Sequence, residues 1–371
     1  MDYFYISILI AFQICFFFQL YYTIVIHQKL ASFTPGEPEI DLQNPVSVII
    51  CARNELENLK KNLSSILDQD YGDFEVIVVN DCSNDGSDWF LRDLSKEYKH
   101  LKVVSIHDHL RFKHGKKFAV TLGIKASKNE NMLFTDADCN PSSNHWLKRM
   151  QSNFSDNTEI VLGYSPYERT PGLLNKFIRF ETFFTALNYL SFALAGKPYM
   201  GVGRNMAYKK SLFFRGKGFA SHMHILSGDD DLFVNQNAHS RNTKIEIHHE
   251  SQVWSEAKRT FSTYISQKLR HQGAGKAYKK QHKQMLSIQA ISGILFYILL
   301  FVLIAIQAQW WLITAIYFIR LLIQVIIYVP IFKKLNYPDL ILWLPVLDFI
   351  YYFYIMALNL IALFKKKVEW K

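Results

Sequence analysis

Apolar residues follow two different patterns along this chain. At both ends they run on for longer than a core helix of a soluble protein needs. From Tyr3 to Ile26 the polar interruptions are Ser7, Gln13, Gln19 and Thr23. A helix needs ~20 apolar residues to cross the hydrocarbon of a bilayer, and this block meets that length. A cleaved leader would begin with basic residues and end at a small-residue site. Here Met1-Asp2 opens the chain, and bulky Phe16-Phe17-Phe18 runs on to Tyr21-Tyr22. The block is predicted to be an uncleaved anchor. A second block runs from Met285 to Phe332 and is too long for one span. It breaks at Gln307-Ala308-Gln309-Trp310-Trp311, where tryptophans suit a membrane interface. A third runs from Leu340 to Phe364, carries Pro345 and Asp348, and ends at Lys365-Lys366-Lys367.

Between these blocks the pattern changes to short apolar runs separated by turn-forming stretches. Pro45 to Cys51 is apolar and β-branched, as strands buried on both faces are. Asn54 is placed to cap a helix through Leu59, Leu63, Ile66 and Leu67. Phe74 to Val79 is the next strand, closed by Asn80-Asp81. Asn84-Asp85-Gly86-Ser87 is a turn, a helix follows near Trp89 to Leu94, and Leu101 to Ile106 is a third strand. A helix around Lys117 to Ala126 leads to a fourth strand, Asn131 to Thr135, which delivers Asp136 and Asp138. This alternation predicts an α/β fold with a doubly wound, mostly parallel sheet. Such sheets bind ligands beyond the carboxyl ends of their strands, where Asp81 and Asp136 fall.

Composition refines the picture. The 371 residues are 50% hydrophobic and 15% aromatic, which fits one soluble domain joined to several spans. The formal net charge of +10 suits contact with anionic membrane lipid or a phosphorylated substrate. Nucleic acid is not an expected partner, because zinc-ligand spacing and a basic-aromatic RNA signature are both missing. The four cysteines, Cys15, Cys51, Cys82 and Cys139, form no disulfide framework and point to a reducing compartment. Around the domain between Ile26 and Met285 stand His27, Lys29, Lys276, Lys279, Lys280 and Lys283. The positive-inside rule then places that domain in the cytoplasm. Lys333-Lys334 agrees after two more spans. Lys365-Lys366-Lys367 disagrees after a third, unless Leu340 to Asp348 lies in the interface with Pro345 as the break. The C-terminal region is expected to hold two or three spans.

Three acidic motifs carry the candidate chemistry: Asn80-Asp81, Asp136-Ala137-Asp138 and Gly228-Asp229-Asp230-Asp231. An Asp-x-Asp just past a buried strand sets two carboxylates at one mouth. Mg2+ or Mn2+ takes a few carboxylates together with phosphate oxygens. It neutralises a diphosphate leaving group as the bond to a sugar breaks. Alone, such a triplet is more often an ordinary acidic turn. Asp81 is placed for a base or ribose edge, though Asn-Asp before Ser-Asn-Asp-Gly is also plain turn chemistry. His114-Gly115-Lys116-Lys117 offers cations to phosphate, or is a solvated helix start. Asp229-Asp230-Asp231 supplies a general base for an acceptor hydroxyl, or forms a solvated loop or a further metal site. Gln267 and Arg270 share one helical face, set to touch a diphosphate or acceptor, or to seat a helix on the membrane.

In this order the motifs resemble those of membrane-bound family-2 glycosyltransferases with the GT-A fold. That wider group includes cellulose, chitin and hyaluronan synthases and ceramide glucosyltransferase. The resemblance covers Val46 to Gly275 with the flanking spans. It implies that Arg53-Asn54-Glu55 lies near the nucleotide, with Arg53 and Glu55 binding it, and that Asp81 binds the base. It implies that Asp136 and Asp138 hold the metal, and that Asp230 is the catalytic base within Gly228-Asp229-Asp230. The family's Gln-x-x-Arg-Trp motif matches Gln267 to His271, with His271 in place of the tryptophan. In polymer-forming members that tryptophan helps hold the acceptor sugar, so the change weighs against processive synthesis. Gly203-Arg204-Asn205-Met206-Ala207 resembles the Gly-x-Asn-x-Ala segment before the base motif. Gly203, Arg204 and Asn205 then belong to the acceptor side, with Asp229 and His271.

The expected protein is an integral membrane enzyme. It has an anchor over 1–26, a cytoplasmic GT-A domain over 27–284 and a membrane region over 285–371. The resemblance implies a metal-dependent, inverting hexosyltransferase. Its donor is a nucleotide-diphosphate sugar such as a UDP-sugar, and its acceptor a lipid or glycan at the membrane. One rival is a processive synthase that exports polymer through its spans. The other is a non-catalytic membrane scaffold with a degenerate domain, against which Asp81, Asp138 and Asp230 weigh. Leu173 to Ala195, apolar and aromatic with Lys176, Arg179 and Glu181, fits an interfacial helix or a core helix. Arg320 and Asp348, charged within apolar blocks, either line an acceptor path, or pair with each other or snorkel.

Overall fold

The computed structural model describes residues 3–38, 44–107, 115–307 and 309–364. Met1, Asp2, His114, Ala308 and the run Lys365-Lys366-Lys367 lie outside the described residues. The N-terminal apolar block is α1 (Tyr3–Tyr21), which widens into a π-turn over Tyr22–His27 and ends as α2 (Gln28–Ser32). The α/β domain follows. β1 (Val46–Ala52) leads into α3 (Leu56–Leu67), β2 (Phe74–Asp81) into α4 (Ser87–Glu97), and β3 (Leu101–Ile106) into α5 (Lys116–Ala126). β4 (Asn131–Asp136) and β5 (Cys139–Pro141) precede α6 (Trp146–Gln151) and β6 (Ile160–Leu162). Next come α7 (Leu173–Leu194), β7 (Met206–Lys209), α8 (Lys210–Arg215) and α9 (Asp231–Asn237). β8 (Thr243–Ile245), β9 (Val253–Ser255) and α10 (Phe261–Gly275) complete the domain. Three long apolar helices follow, α11 (Lys280–Ala305), α12 (Trp310–Lys334) and α13 (Leu344–Phe364).

Seven strands form one sheet in the order β3-β2-β1-β4-β7-β6-β8. β1 pairs in parallel with β2 and β4, whereas β7 runs antiparallel to β4 and β6. The strands read as continuous apolar runs because both faces are covered. Val48, Ile50, Val76 and Val78 share a core with Leu59, Leu63 and Ile66 of α3. Ile49, Ile77 and Val79 share the other with Val120 and Ile124 of α5. The winding direction reverses between β1 and β4, where Cys51 lies opposite Asp136. That reversal opens the crevice in which open α/β sheets bind ligands.

Asn54 does not cap α3. It adopts a left-handed φ of 55°, and its Oδ1 accepts the Asn84 N–H. The Leu56 N–H is met by Asp85 Oδ2 at 2.8 Å, from the turn after β2. The cap thus comes from a partner distant in sequence, which no local pattern reveals.

α7 is a core helix and not an interfacial one. Phe180, Phe183, Leu187 and Leu190 are buried, and Phe183 stacks on Phe332 of α12. Arg179, also buried, donates to both oxygens of Asp339 at 2.9 and 2.6 Å. α7 therefore joins the sheet domain to the membrane helices.

Among the described residues, four helical segments are long and apolar enough to cross a membrane: Tyr3–Ser32, Lys280–Ala305, Trp310–Lys334 and Pro338–Ala362. Pro338–Trp343 is a 3-10 turn and α13 begins at Leu344. Pro345 therefore sits in the first helical turn, where its missing N–H breaks no bond. Arg320 and Asp348 pair with each other, at 2.9 Å, and both are buried. Tyr297 and Gln324 also donate to Asp348. Arg320 Nη2 and the Tyr352 hydroxyl both donate to Gln19 Oε1. One polar cluster ties α1, α11, α12 and α13 together.

Candidate active site

The strand ends and the turn before α9 open onto one cavity of about 960 Å³. Its walls include Arg53, Glu55, Asp81, Lys116, Asp136, Asp138, Gly203, Arg204, Asp229, Asp230, Gln267, Arg270 and His271. Asp81 closes β2 and is buried, and its Oδ1 has no hydrogen-bond partner among the described residues. An unmet buried acceptor costs about 1–3 kcal/mol, which a donor group on a ligand would recover. Glu55 follows β1. Desolvation pushes its carboxyl up, and the Asn58 amide holds it partly back.

Lys116 opens α5 and reaches across the crevice. Its Nζ lies 2.8 Å from Asp136 Oδ1 and 3.4 Å from Asp229 Oδ2. Desolvation pushes the Asp136 carboxyl up, but Lys116 outweighs it and holds the group below the usual carboxylate range. Asp138 opens onto the same cavity, with the Cys139 thiol 3.4 Å from its Oδ1. Among the described residues, no three His, Cys, Asp or Glu side chains gather into a ready-made metal cage. Mg2+ commonly binds through one or two carboxylates and completes its shell with phosphate and water. Asp136 and Asp138, both half-buried on one wall, fit a cation that arrives with its diphosphate.

Backbone geometry builds the Gly228-Asp229-Asp230-Asp231 motif. Gly228 has a φ of +97°, and a Cβ there would meet Leu232 Cδ1 at 2.5 Å, so only glycine makes this turn. The turn sets Asp230 at the N-cap of α9, where its Oδ1 accepts the Asp231 N–H at 2.7 Å. Its Oδ2 accepts the Gly203 N–H at 2.8 Å. Desolvation, then the neighbouring Asp229, push Asp230 above the usual carboxylate range. Asp231 lines the same cavity, and its Oδ2 accepts the Tyr278 hydroxyl at 2.8 Å. Desolvation, then Asp230, push it up to about 8. His271 is pushed down to about 3 by desolvation and then by Lys268 and Arg270, so it stays neutral.

Two of the expected site residues, Lys117 and Asn205, stand apart from the cavity walls. Lys117 Nζ donates to the carbonyls of His222 at 2.6 Å and Ile225 at 2.9 Å. It pins the loop before the base motif, and burial lowers its ammonium to about 8. Asn205 is fully buried. It accepts from Trp146 Nε1 and donates to the carbonyls of Tyr164 and Ser251. Other wall residues belong to no motif. Glu181, Thr182 and Thr185 of α7, Tyr278, and Leu358 of α13 extend the cavity to a membrane helix. The polar positions in α7, spaced one helical turn apart, are the one sequence signal that marks them.

Residues 47–214 match the family model described as Glycosyl transferase family 2. The chain carries a family-2 glycosyltransferase domain. Its mostly parallel sheet with flanking helices is the GT-A architecture. This glycosyltransferase domain is similar to glycosyltransferase AglE of Haloferax volcanii. The two are 37% identical over 120 residues, 32% of this chain and 38% of that protein. It is also similar to the poly-beta-1,6-N-acetyl-D-glucosamine synthase of Staphylococcus epidermidis, at 32% identity over 93 residues. That match covers 25% of this chain and 21% of the synthase. The chain thus spans well under half the length of either relative. Among solved structures, mannosyltransferase PcManGT from Pyrobaculum calidifontis, in complex with GDP-Man and Mn2+, has a TM-score of 0.60. The match covers 92% of this chain and 98% of that one at 18% identity, a likeness of fold.

Proposed function

We propose that this chain moves a sugar from a nucleotide-diphosphate sugar to a lipid or glycan acceptor at the membrane, with inversion at the anomeric carbon. One observation carries the reading. A single cavity holds Asp81 at the strand ends, Asp136, Asp138 and Asp230 together, and Leu358 of a membrane helix. In this reading Arg53, Glu55 and the open oxygen of Asp81 bind the nucleoside. Lys116, Gln267 and Arg270 face the phosphates. Asp138 and Asp136 would hold a divalent cation, which when bound neutralises charge on the departing diphosphate. Asp230 takes the acceptor proton as the hydroxyl attacks the anomeric carbon. Its raised carboxyl makes it a stronger base than an ordinary aspartate. The Gly203 and Asp231 N–H groups orient it and leave further lone pairs free for that proton. Attack opposite the leaving group, through an oxocarbenium-like transition state, inverts the centre. The lysines at the span ends support a cytoplasmic domain.

His271, in place of the tryptophan of polymer-forming members, favours transfer of a single sugar. The similarity to a polymer synthase favours a second reading, processive synthesis. Membranes carrying the protein are incubated with labelled UDP-glucose, UDP-N-acetylglucosamine and GDP-mannose. One labelled product of fixed size supports single transfer, and a ladder supports the second reading. Donor binding without any transfer would reject both.

A further inference from the structure

We propose that Tyr278 is a positioning residue for the general base and acts through Asp231. The inference rests on the glycosyl-transfer reading and adds a residue outside its motifs. The N-terminus of α9 carries Asp230 and Asp231 side by side. Asp231 Oδ1 accepts the Leu232 N–H at 2.7 Å, and its Oδ2 accepts the Tyr278 hydroxyl at 2.8 Å. Tyr278 lies in the short link between α10 and the membrane helix α11.

The same link holds the rest of α9. The Lys279 N–H donates to Asn235 Oδ1 at 2.9 Å, and Lys279 Nζ donates to the Gln236 carbonyl at 3.1 Å. Asn235 Nδ2 donates to the Tyr199 carbonyl at 2.7 Å and lies 3.0 Å from His282 Nδ1, inside α11. The Tyr278 ring meets the Tyr199 ring edge-on, with centroids 6.1 Å apart. Tyr199 begins the segment whose Gly203 N–H holds Asp230. The far turn of α9 is thus fixed by Asn235 and Lys279, and its first turn by Tyr278.

Loss of the Tyr278 hydroxyl removes a side-chain restraint on the residue next to the base, leaving the Gly203 N–H as the contact that holds Asp230 from outside α9. The first turn of α9 then shifts, and Asp230 shifts with it. Asp231, which already lines the cavity, also loses a partner and is free to turn toward Asp230 and Asp229. Asp81, Asp136 and Asp138 stand on β2, β4 and the turn after β4, so the donor end does not move. The expected signature is a slower chemical step with unchanged donor binding.

Tyr278→Phe removes the donor and keeps the ring. Maximal rate per enzyme is measured in membranes with their endogenous acceptor, using whichever of the three nucleotide sugars is active. It should fall about tenfold or more, as it does when a catalytic group is misplaced. Donor KM should stay within about twofold. Asp231→Ala should show a similar fall, and the double variant should be no slower than Asp231→Ala alone. A wild-type rate in Tyr278→Phe, a defect confined to donor KM, or effects that multiply in the double variant would overturn the proposal. If Asp231→Ala fails to fold, the split between rate and KM in Tyr278→Phe decides. Transfer by the wild type with no Tyr278→Phe defect leaves the glycosyl-transfer reading standing. Donor binding without transfer by the wild type sinks that reading and this proposal together.

Discussion

Lys116 Nζ lies 2.8 Å from Asp136 Oδ1, so the first carboxylate of the Asp-x-Asp pair already has a cation of the protein's own. A metal that shares Asp136 must compete with that ammonium. Lys116→Gln should therefore lower the Mn2+ concentration needed for half-maximal activity, by roughly tenfold for each pKa unit of lost competition. Donor KM should rise, because the phosphates lose a cation. A metal titration of both enzymes tests this. An unchanged Mn2+ requirement would mean that Lys116 and the metal do not meet.

Asp138 has the more direct role in the same reading. Asp138→Ala should abolish turnover and weaken nucleotide-sugar binding in Mn2+. Calorimetry with and without Mn2+ separates the two effects. Unchanged activity at limiting metal would reject the assignment.

Asp230 is distinguished from its two neighbours by rate and by pH. Asp230→Asn keeps the shape and removes the basicity, so kcat should fall at least roughly a hundredfold with donor affinity intact. Asp231→Asn should cost much less. The base must be ionised, so wild-type kcat/KM should fall as pH drops through the Asp230 pKa. Desolvation and Asp229 raise that pKa, so the acid limb should lie above the ordinary carboxylate value of about 3.9. A normal rate for Asp230→Asn, with a defect at Asp229→Asn or Asp231→Asn, would reassign the base.

The cytoplasmic orientation can be mapped by labelling. An engineered cysteine at Ser95, in a background without the four native cysteines, should resist a membrane-impermeant thiol reagent on intact cells. It should react once the cells are opened. Labelling of intact cells would put the domain outside.

The Arg320–Asp348 pair predicts a large stability effect. Asp348→Leu leaves Arg320 buried without its counter-ion, which should cost about 3–5 kcal/mol. Arg320→Leu together with Asp348→Leu should recover most of that loss. Thermal unfolding in detergent micelles is the measurement. A double variant no better than Asp348→Leu would show that the pair is not the source of the loss.

Much of the fold is legible in the sequence, because β1, β2 and β4 are buried on both faces and must read as unbroken apolar runs. Asp81 and Asp136 are legible for the same reason, since each is the polar residue that ends such a run. Neighbouring residues in a motif are harder to separate. Lys116 and Lys117 are adjacent, yet one faces the cavity and the other holds loop carbonyls. Gly203 meets Asp230 while Asn205 anchors Trp146. Tyr278 and Leu358 join the cavity through tertiary packing alone and leave no local mark. The cap of α3 is hidden likewise, because Asp85 reaches Leu56 from another turn.

The cluster joining Gln19, Arg320 and Asp348 constrains how this protein enters the bilayer during synthesis. α12 emerges with Arg320 before Asp348, 28 residues later, has been made. A lone charge near the middle of a span costs ~2.5–3.5 kcal/mol on insertion scales. α12 and α13 therefore enter lipid most cheaply as a helical hairpin with the charges already joined. α1, made before either, contributes Gln19 to that hairpin only at the end. A span translated ahead of the hairpin thus finds its place after it.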